Sequence, residues 1–190
     1  MLRSTPWLGC LILLLPVTGL AGPYVGASWG KADVPDFGSG RDAWAVHLGY
    51  RFGDWLAVEG SYAGFKASRY SCSGVCIPEG QFWLNYTAHD VEVAALGSVP
   101  LGRHLALFGK AGLGYLDTRI HTTATATLTG ALIPASTISN SKAGVLVGAG
   151  VDLRLVRTLN VRMQWSRQQL SGPDVTSTWV GLTYTFGRGR

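Results

Sequence analysis

Period-two alternation, charges on the face opposite the aromatics, and connections that alternate short and long predict an all-β fold. That fold is an eight-stranded antiparallel up-and-down transmembrane β-barrel. The alternation is clearest over residues 43–52. There Trp44, Val46, Leu48, Tyr50 and Phe52 share one face, and Ala45, His47, Gly49 and Arg51 share the other. The repeating segments are about as long as a tilted strand that crosses a bilayer. An apolar outside around a charged inside belongs to a membrane barrel and reverses the soluble arrangement.

The N-terminus reads as an export signal and not as part of the barrel. Met1 and Arg3 lead into an apolar run over 8–15, then Pro16 and the small-residue exit Gly19-Leu20-Ala21. The run is too short to span a membrane as a helix, so residues 1–21 are expected to be a cleaved signal peptide. Residues 22–190 then make one outer-membrane barrel domain of ordinary size. Loss of Arg3 lowers the formal charge from +5 to +4. The remaining bases are scattered, so no nucleic-acid partner is expected.

The first strand is expected over 23–30 and the second over 43–52, joined by a polar loop at 31–42. A Gly53-Asp54 turn leads to the third strand, 55–65, with Leu56, Val58 and Tyr62 opposite Ala57, Glu59 and Ser61. A long loop over 66–86 precedes the fourth strand, 88–99, which turns at Pro100-Leu101-Gly102. The fifth, 104–116, sets Leu105, Leu107, Ala111, Leu113 and Tyr115 against Phe108, Lys110, Gly112 and Gly114.

The longest connection covers 117–141, where Thr125, Thr127 and Thr129 alternate with Ala124, Ala126 and Leu128. Strands are expected to run on past the membrane there as a hairpin. The sixth strand, 142–153, the turn 154–158 and the seventh strand, 159–168, follow. Leu159, Val161, Met163 and Trp165 lie opposite Asn160, Arg162, Gln164 and Ser166. The eighth, 177–186, carries Val180, Leu182, Tyr184 and Phe186 on one face. Sorting of turns to one side and loops to the other is the mark of an up-and-down barrel.

Aromatic rings should form two belts at the membrane–water boundaries. Trp29, Trp44, Phe65, Tyr115, Trp165 and Trp179 fall near the loop-side strand ends, and Tyr24, Phe52, Trp55, Tyr184 and Phe186 near the turn-side ends. Arg51, Glu59, Asp90, Glu92, Lys110, Asp152 and Arg162 fall on the opposite face, which makes them a candidate lumen charge network. A turn centred near Leu101 would bring Glu92 opposite Lys110, and one near Arg157 would bring Asp152 opposite Arg162. An eight-stranded barrel is narrow enough for its side chains to fill, so paired charges should plug it.

Cys72 and Cys76 sit in Tyr70-Ser-Cys-Ser-Gly-Val-Cys-Ile77, and an even cysteine count in an exported chain favours a disulfide closing this small loop. A metal pair would need further ligands, and no His or Asp lies nearby, so neither metal nor cofactor is expected. His89 and Asp90, adjacent on a strand, point to opposite faces and form no dyad. No serine sits in a nucleophile motif, and no enzymatic activity is expected.

The segments Gly49-Tyr-Arg-Phe-Gly-Asp-Trp-Leu-Ala-Val-Glu-Gly-Ser-Tyr62, Phe108-Gly-Lys-Ala-Gly-Leu-Gly-Tyr115 and Val180-Gly-Leu-Thr-Tyr-Thr-Phe186 resemble strands of OmpA-like and opacity-type outer-membrane barrels. The resemblance spans residues 22–190 and implies the bacterial outer membrane, its lipids and the barrel-assembly machinery as surroundings. Such barrels end on an aromatic, whereas here Gly-Arg-Gly-Arg190 follows Phe186. No peptidoglycan-binding domain follows either. The expected role is structural or adhesive, in a monomer meeting surface partners through loops 66–86 and 117–141. A lipid-modifying enzyme or a small pore are the alternatives, and a soluble lipocalin-type barrel would need an apolar lumen.

Overall fold

The computed structural model describes residues 22–34, 38–65, 69–73, 80–126, 132–172 and 174–186. The leader 1–21, Cys76, Thr127, Leu128, Thr129 and the residues after Phe186 lie outside them. Nine strands follow in order: β1 (Gly22–Val34), β2 (Gly38–Arg51), β3 (Leu56–Phe65), β4 (Arg69–Ser73), β5 (Gly80–Pro100), β6 (Leu105–Ala126), β7 (Leu132–Arg154), β8 (Leu159–Leu170) and β9 (Val175–Thr185). The sheet order is β3-β2-β1-β9-β8-β7-β6-β5-β4, and a β3–β5 pairing closes it. Every pairing is antiparallel. β4 pairs the outer part of β5 beyond the end of β3, so β3 and β4 act as one stave of an eight-stranded barrel.

The register fixes the geometry of the wall. Following lumen-facing partners from Gly22 leads to Arg51, Ala57, Leu96, Lys110, Gly148, Ser166, Ser177 and back to β1 at Ala32. The path returns ten residues further along, which is the stagger of the barrel. Eight strands with that stagger tilt by about 40° and enclose only enough space for side chains.

The hydropathy of the wall is inverted as alternation predicts. Leu48 is 69% exposed and Leu113 68%, whereas Glu59, Lys110 and Arg162 are buried. Large inward side chains lie beside glycines. A Cβ on Gly49 would strike the Tyr24 ring, and one on Gly150 would strike Phe108. Small residues therefore set which bulky groups the narrow lumen admits.

Three expectations are corrected. The connections 31–42, 66–86 and 117–141 are in good part strand, because β1 and β2, β5 and β6, and β6 and β7 keep pairing beyond the membrane. Backbone hydrogen bonding needs no apolar face, so the ladder does not have to stop where the membrane does. The expected hairpin beyond 121 is among these extensions, with His121 facing Thr137.

The second correction concerns register. Glu92 faces Gly114, and Lys110 faces Leu96. The turn covers 101–104 and is centred two residues later than expected, with Gly102 at φ 102° and the Leu101 N–H donating to the Leu105 carbonyl at 2.8 Å. A side chain at 102 would be strained in that left-handed conformation. Asp152 does face Arg162. The third correction is that Tyr24, Phe65 and Trp179 point inward and are buried. They share faces with Gly26, Glu59 and Ser177, so strand parity excludes them from the belts.

Candidate functional site

The lumen is built in three tiers. On the turn side, Arg162 of β8 is the hub. Its Nε and Nη2 donate to the two Asp152 carboxylate oxygens at 2.8 and 3.2 Å, and its Nη1 donates to Glu59 Oε2 at 2.5 Å. The Tyr24 hydroxyl donates to the same Glu59 oxygen at 2.9 Å. Arg51 Nη2 stands 3.5 Å from Asp152 Oδ2. The Arg162 guanidinium lies 4.8 Å from the Phe108 ring centre, a cation–π contact that offsets part of its desolvation.

The middle tier joins three strands. Lys110 Nζ donates to Glu92 Oε2 at 2.8 Å, and the Ser61 hydroxyl donates to the same oxygen at 2.8 Å. The shifted register leaves these two charges on a diagonal, and the length of both side chains closes it. His47 Nε2 and Thr183 Oγ1 lie 3.0 Å apart. A cavity of about 20 Å³ beside this tier, lined by His47, Glu59, Ser61, Glu92, Lys110 and Trp179 among others, has room for about one water.

The loop-side tier is mostly apolar. Ala32, Val34, Ala43, Ala63, Phe65, Ala88, Leu116, Val175 and Trp179 form one buried cluster, with Ala45 and Leu170 packed on it. Trp179 Nε1 donates to Ser177 Oγ at 2.9 Å, and the Ser177 and Ser166 hydroxyls are 2.8 Å apart. Asp90 and Gln168 are buried beside this tier, and Asp90 Oδ1 and both polar atoms of the Gln168 amide have no hydrogen-bond partner among the described residues.

Each residue singled out for the charge network therefore faces the lumen. Arg51, Asp152, Arg162 and Glu59 meet in one tier, and Glu92 and Lys110 meet in another. Asp90 has no ion partner among the described residues. His47 was expected on the inner face with Arg51, whereas Tyr24, Gln168 and Trp179 were missed as lumen residues, although counting parity from Arg162 and Ser177 finds Gln168 and Trp179. The backbone of Cys72 lies in β4, while Cys76 is outside the described residues, so the pair is not placed.

Outside the wall, Trp29, Trp44, Tyr115 and Trp165 on the loop side and Trp55, Tyr184 and Phe186 on the turn side are all exposed. Trp29 and Trp44 are cross-strand partners. Trp44 packs on Tyr62 at 5.7 Å, and Tyr62 stacks on His89 with its hydroxyl 2.7 Å from Nδ1. Above the loop-side belt, Lys31 pairs with Asp42, Arg119 with Asp117 and Arg167 with Asp174. No serine hydroxyl is hydrogen-bonded to a histidine among the described residues.

A closed wall with lipid-compatible residues outside, charges inside and two aromatic belts defines a membrane β-barrel of the outer-membrane class. The chain belongs to the family described as the outer membrane protein beta-barrel domain, whose model matches residues 16–186. Three solved barrels are similar to it. The first is a major outer membrane protein from Thermus thermophilus, with TM-score 0.65 and 14% identity over 87% of this chain and 99% of that one. The second is Neisserial surface protein A, with TM-score 0.61 and 15% identity over 87% and 97%. The third is Ail, the attachment invasion locus protein of Yersinia pestis, solved with the heparin analogue sucrose octasulfate, with TM-score 0.57 and 15% identity over 87% and 97%. At these identities the likeness concerns the fold alone. No curated protein matches the sequence.

Proposed function

We propose that this protein is a plugged outer-membrane barrel that meets surface partners through its loop-side sheet. The observation that carries the reading is the unequal height of the wall. β5, β6 and β7 remain paired well beyond the belt, with Thr87 opposite Arg119 and Asp117 opposite Ser141. β8 pairs β7 only as far as Gly144, so the outer edge of β7 is left open on that side. Open edges and exposed hydroxyls give a partner both backbone and side-chain hydrogen-bonding groups. The exposed residues 136–141 (Ser, Thr, Ile, Ser, Asn and Ser) supply them without charge.

Export by the leader 1–21, insertion by the barrel-assembly machinery and a Cys72–Cys76 disulfide belong to the same proposal. So does a monomeric, non-enzymatic state among outer-membrane lipids. A lipid-modifying enzyme would need a Ser, a His and an acid at one depth, and the Ser61 hydroxyl is instead held by Glu92. The lumen is proposed as closed, since ion pairs fill two tiers and an apolar collar the third.

The test is removal of residues 121–141 from the chain in its own membrane, with surface adhesion as the readout. Heat-modifiability on a gel shows whether the barrel still folds. Lost adhesion with folding intact supports the reading, and unchanged adhesion refutes the partner role. The complex with sucrose octasulfate is a property of Ail, but it supplies a first ligand to try. Because Lys31, Arg119 and Arg167 are each held by an aspartate here, that ligand makes a stringent trial.

A further inference from the structure

We propose that the turn-side mouth of the lumen is a binding site for a small oxyanion, a phosphate group in particular. A cavity of about 30 Å³ opens there, lined by Arg51, Arg103, His104, Arg154, Asp152 and Asn160 among others. Its one carboxylate, Asp152, is already held by two nitrogens of Arg162. Arg103 and Arg154 have no carboxylate within ion-pair distance among the described residues. The Arg154 guanidinium reaches backbone instead. Arg154 Nη1 donates to the Arg103 carbonyl at 3.5 Å, and His104 Nδ1 lies 3.3 Å from the Arg154 carbonyl.

Asn160 is the second, independent observation. It is 3% exposed, lines the same cavity, and its Oδ1 has no hydrogen-bond partner among the described residues. A half-turn of the amide presents its NH₂ to a ligand in place of the oxygen. A buried polar side chain normally has a partner, and here it sits among arginine forks. Guanidinium groups match the oxygens of phosphate two at a time.

The two mouths differ in charge balance. On the loop side, Lys31, Arg119 and Arg167 each hold an aspartate. On the turn side Arg51 shares Asp152 with Arg162, while Arg103 and Arg154 have no such partner among the described residues, so a negative ligand is favoured beside these two. The phosphate could belong to a lipid headgroup of the turn-side leaflet, because Leu101 and Leu105 lie exposed beside the mouth. It could equally be a free phosphate ester entering along the barrel axis. Both sources present the same oxygens.

The experiment titrates the detergent-refolded chain at fixed ionic strength with inorganic phosphate, and separately with short-chain phosphatidylglycerol below its micelle concentration. Calorimetry and the NMR signal of the Asn160 side-chain amide are read together. Saturable phosphate binding that moves this amide marks a free-anion site, and a response to phosphatidylglycerol alone marks a headgroup site. Both support the proposal. Arg103→Gln with Arg154→Gln should weaken either ligand about tenfold or more while leaving heat-modifiability unchanged. If that pair does not refold, the lysine versions keep the charge but lose the fork, and they should also bind more weakly. No saturable binding of either ligand by the wild-type chain, or equal binding by refolded variants, overturns the site.

Discussion

Arg162 and Glu59, 103 positions apart in sequence, meet across the lumen with Nη1 and Oε2 2.5 Å apart. The same guanidinium holds Asp152 on the neighbouring strand with its other two nitrogens. One side chain therefore ties β3, β7 and β8 together, and Tyr24 adds β1 through the shared Glu59 oxygen. Removing the cation leaves the buried Glu59 without an ion partner among the described residues, and leaves Asp152 only the longer contact to Arg51. Breaking a buried pair in this way costs about 3–5 kcal/mol. Arg162→Met should lower the denaturation midpoint of the refolded barrel by that scale in urea unfolding. Glu59→Gln keeps the shape and one hydrogen-bond acceptor, so it should cost less. Equal, small losses for both would show that the network adds little.

The three tiers predict the electrical behaviour. Ion pairs narrow the turn side and the middle, and Phe65, Leu116 and Trp179 form an apolar collar on the loop side. A narrow apolar constriction resists wetting and so resists ions. The wild-type barrel in a planar bilayer should show no large stable conductance. Trimming the collar with Phe65→Ala and Trp179→Ala should leave it closed, because the Lys110–Glu92 layer lies below. Large, steady currents from the wild type would contradict the plugged lumen.

Much of this was legible in the sequence wherever one face of a strand met lipid. Over 43–52 the lipid demands apolar residues and the lumen admits His47 and Arg51, so alternation alone gives strand, direction and depth. The Asp152–Arg162 pair was legible because its turn is short and symmetric. The Glu92–Lys110 contact was legible only as a pair of faces, since the turn is centred at 103 and not at 101, which moves the register by four residues. The hairpin beyond 121 was expected from its alternating threonines, but the extensions over 31–42 and 66–86 were hidden for a different reason. Water on both sides removes the two-fold hydropathy signal, while the backbone ladder continues without it. Phe65 and Trp179 show the limit of reading by residue type, because a ring can serve a collar as well as a belt.

Asp90 gives a prediction with the opposite sign to Arg162. It is buried, has no ion partner, and its Oδ1 has no hydrogen-bond partner among the described residues. A buried carboxylate that feels the like charge of Glu92 costs more than a neutral amide of the same shape. Asp90→Asn should therefore leave stability unchanged or raise it by about 1 kcal/mol, read as an upward shift of the unfolding midpoint. Clear destabilisation would mean that the carboxylate has a partner this arrangement does not show. It would then belong with Lys110 and Glu92 as part of the network.

Leu48 tests the orientation of the whole wall. It lies on β2 midway between Trp44 of the loop-side belt and Phe52 near the turn, and it is 69% exposed. If lipid covers that face, Leu48→Arg places a charge near the middle of the hydrocarbon, at a cost of about 2–4 kcal/mol. The same change at Trp29, at the belt, should cost much less, because depth sets the penalty. In detergent-to-vesicle refolding, Leu48→Arg should lower the folded fraction on heat-modifiability gels far more than Trp29→Arg. Equal tolerance at both positions would mean that the face carrying Leu48 meets water, and the barrel would then be inside-out.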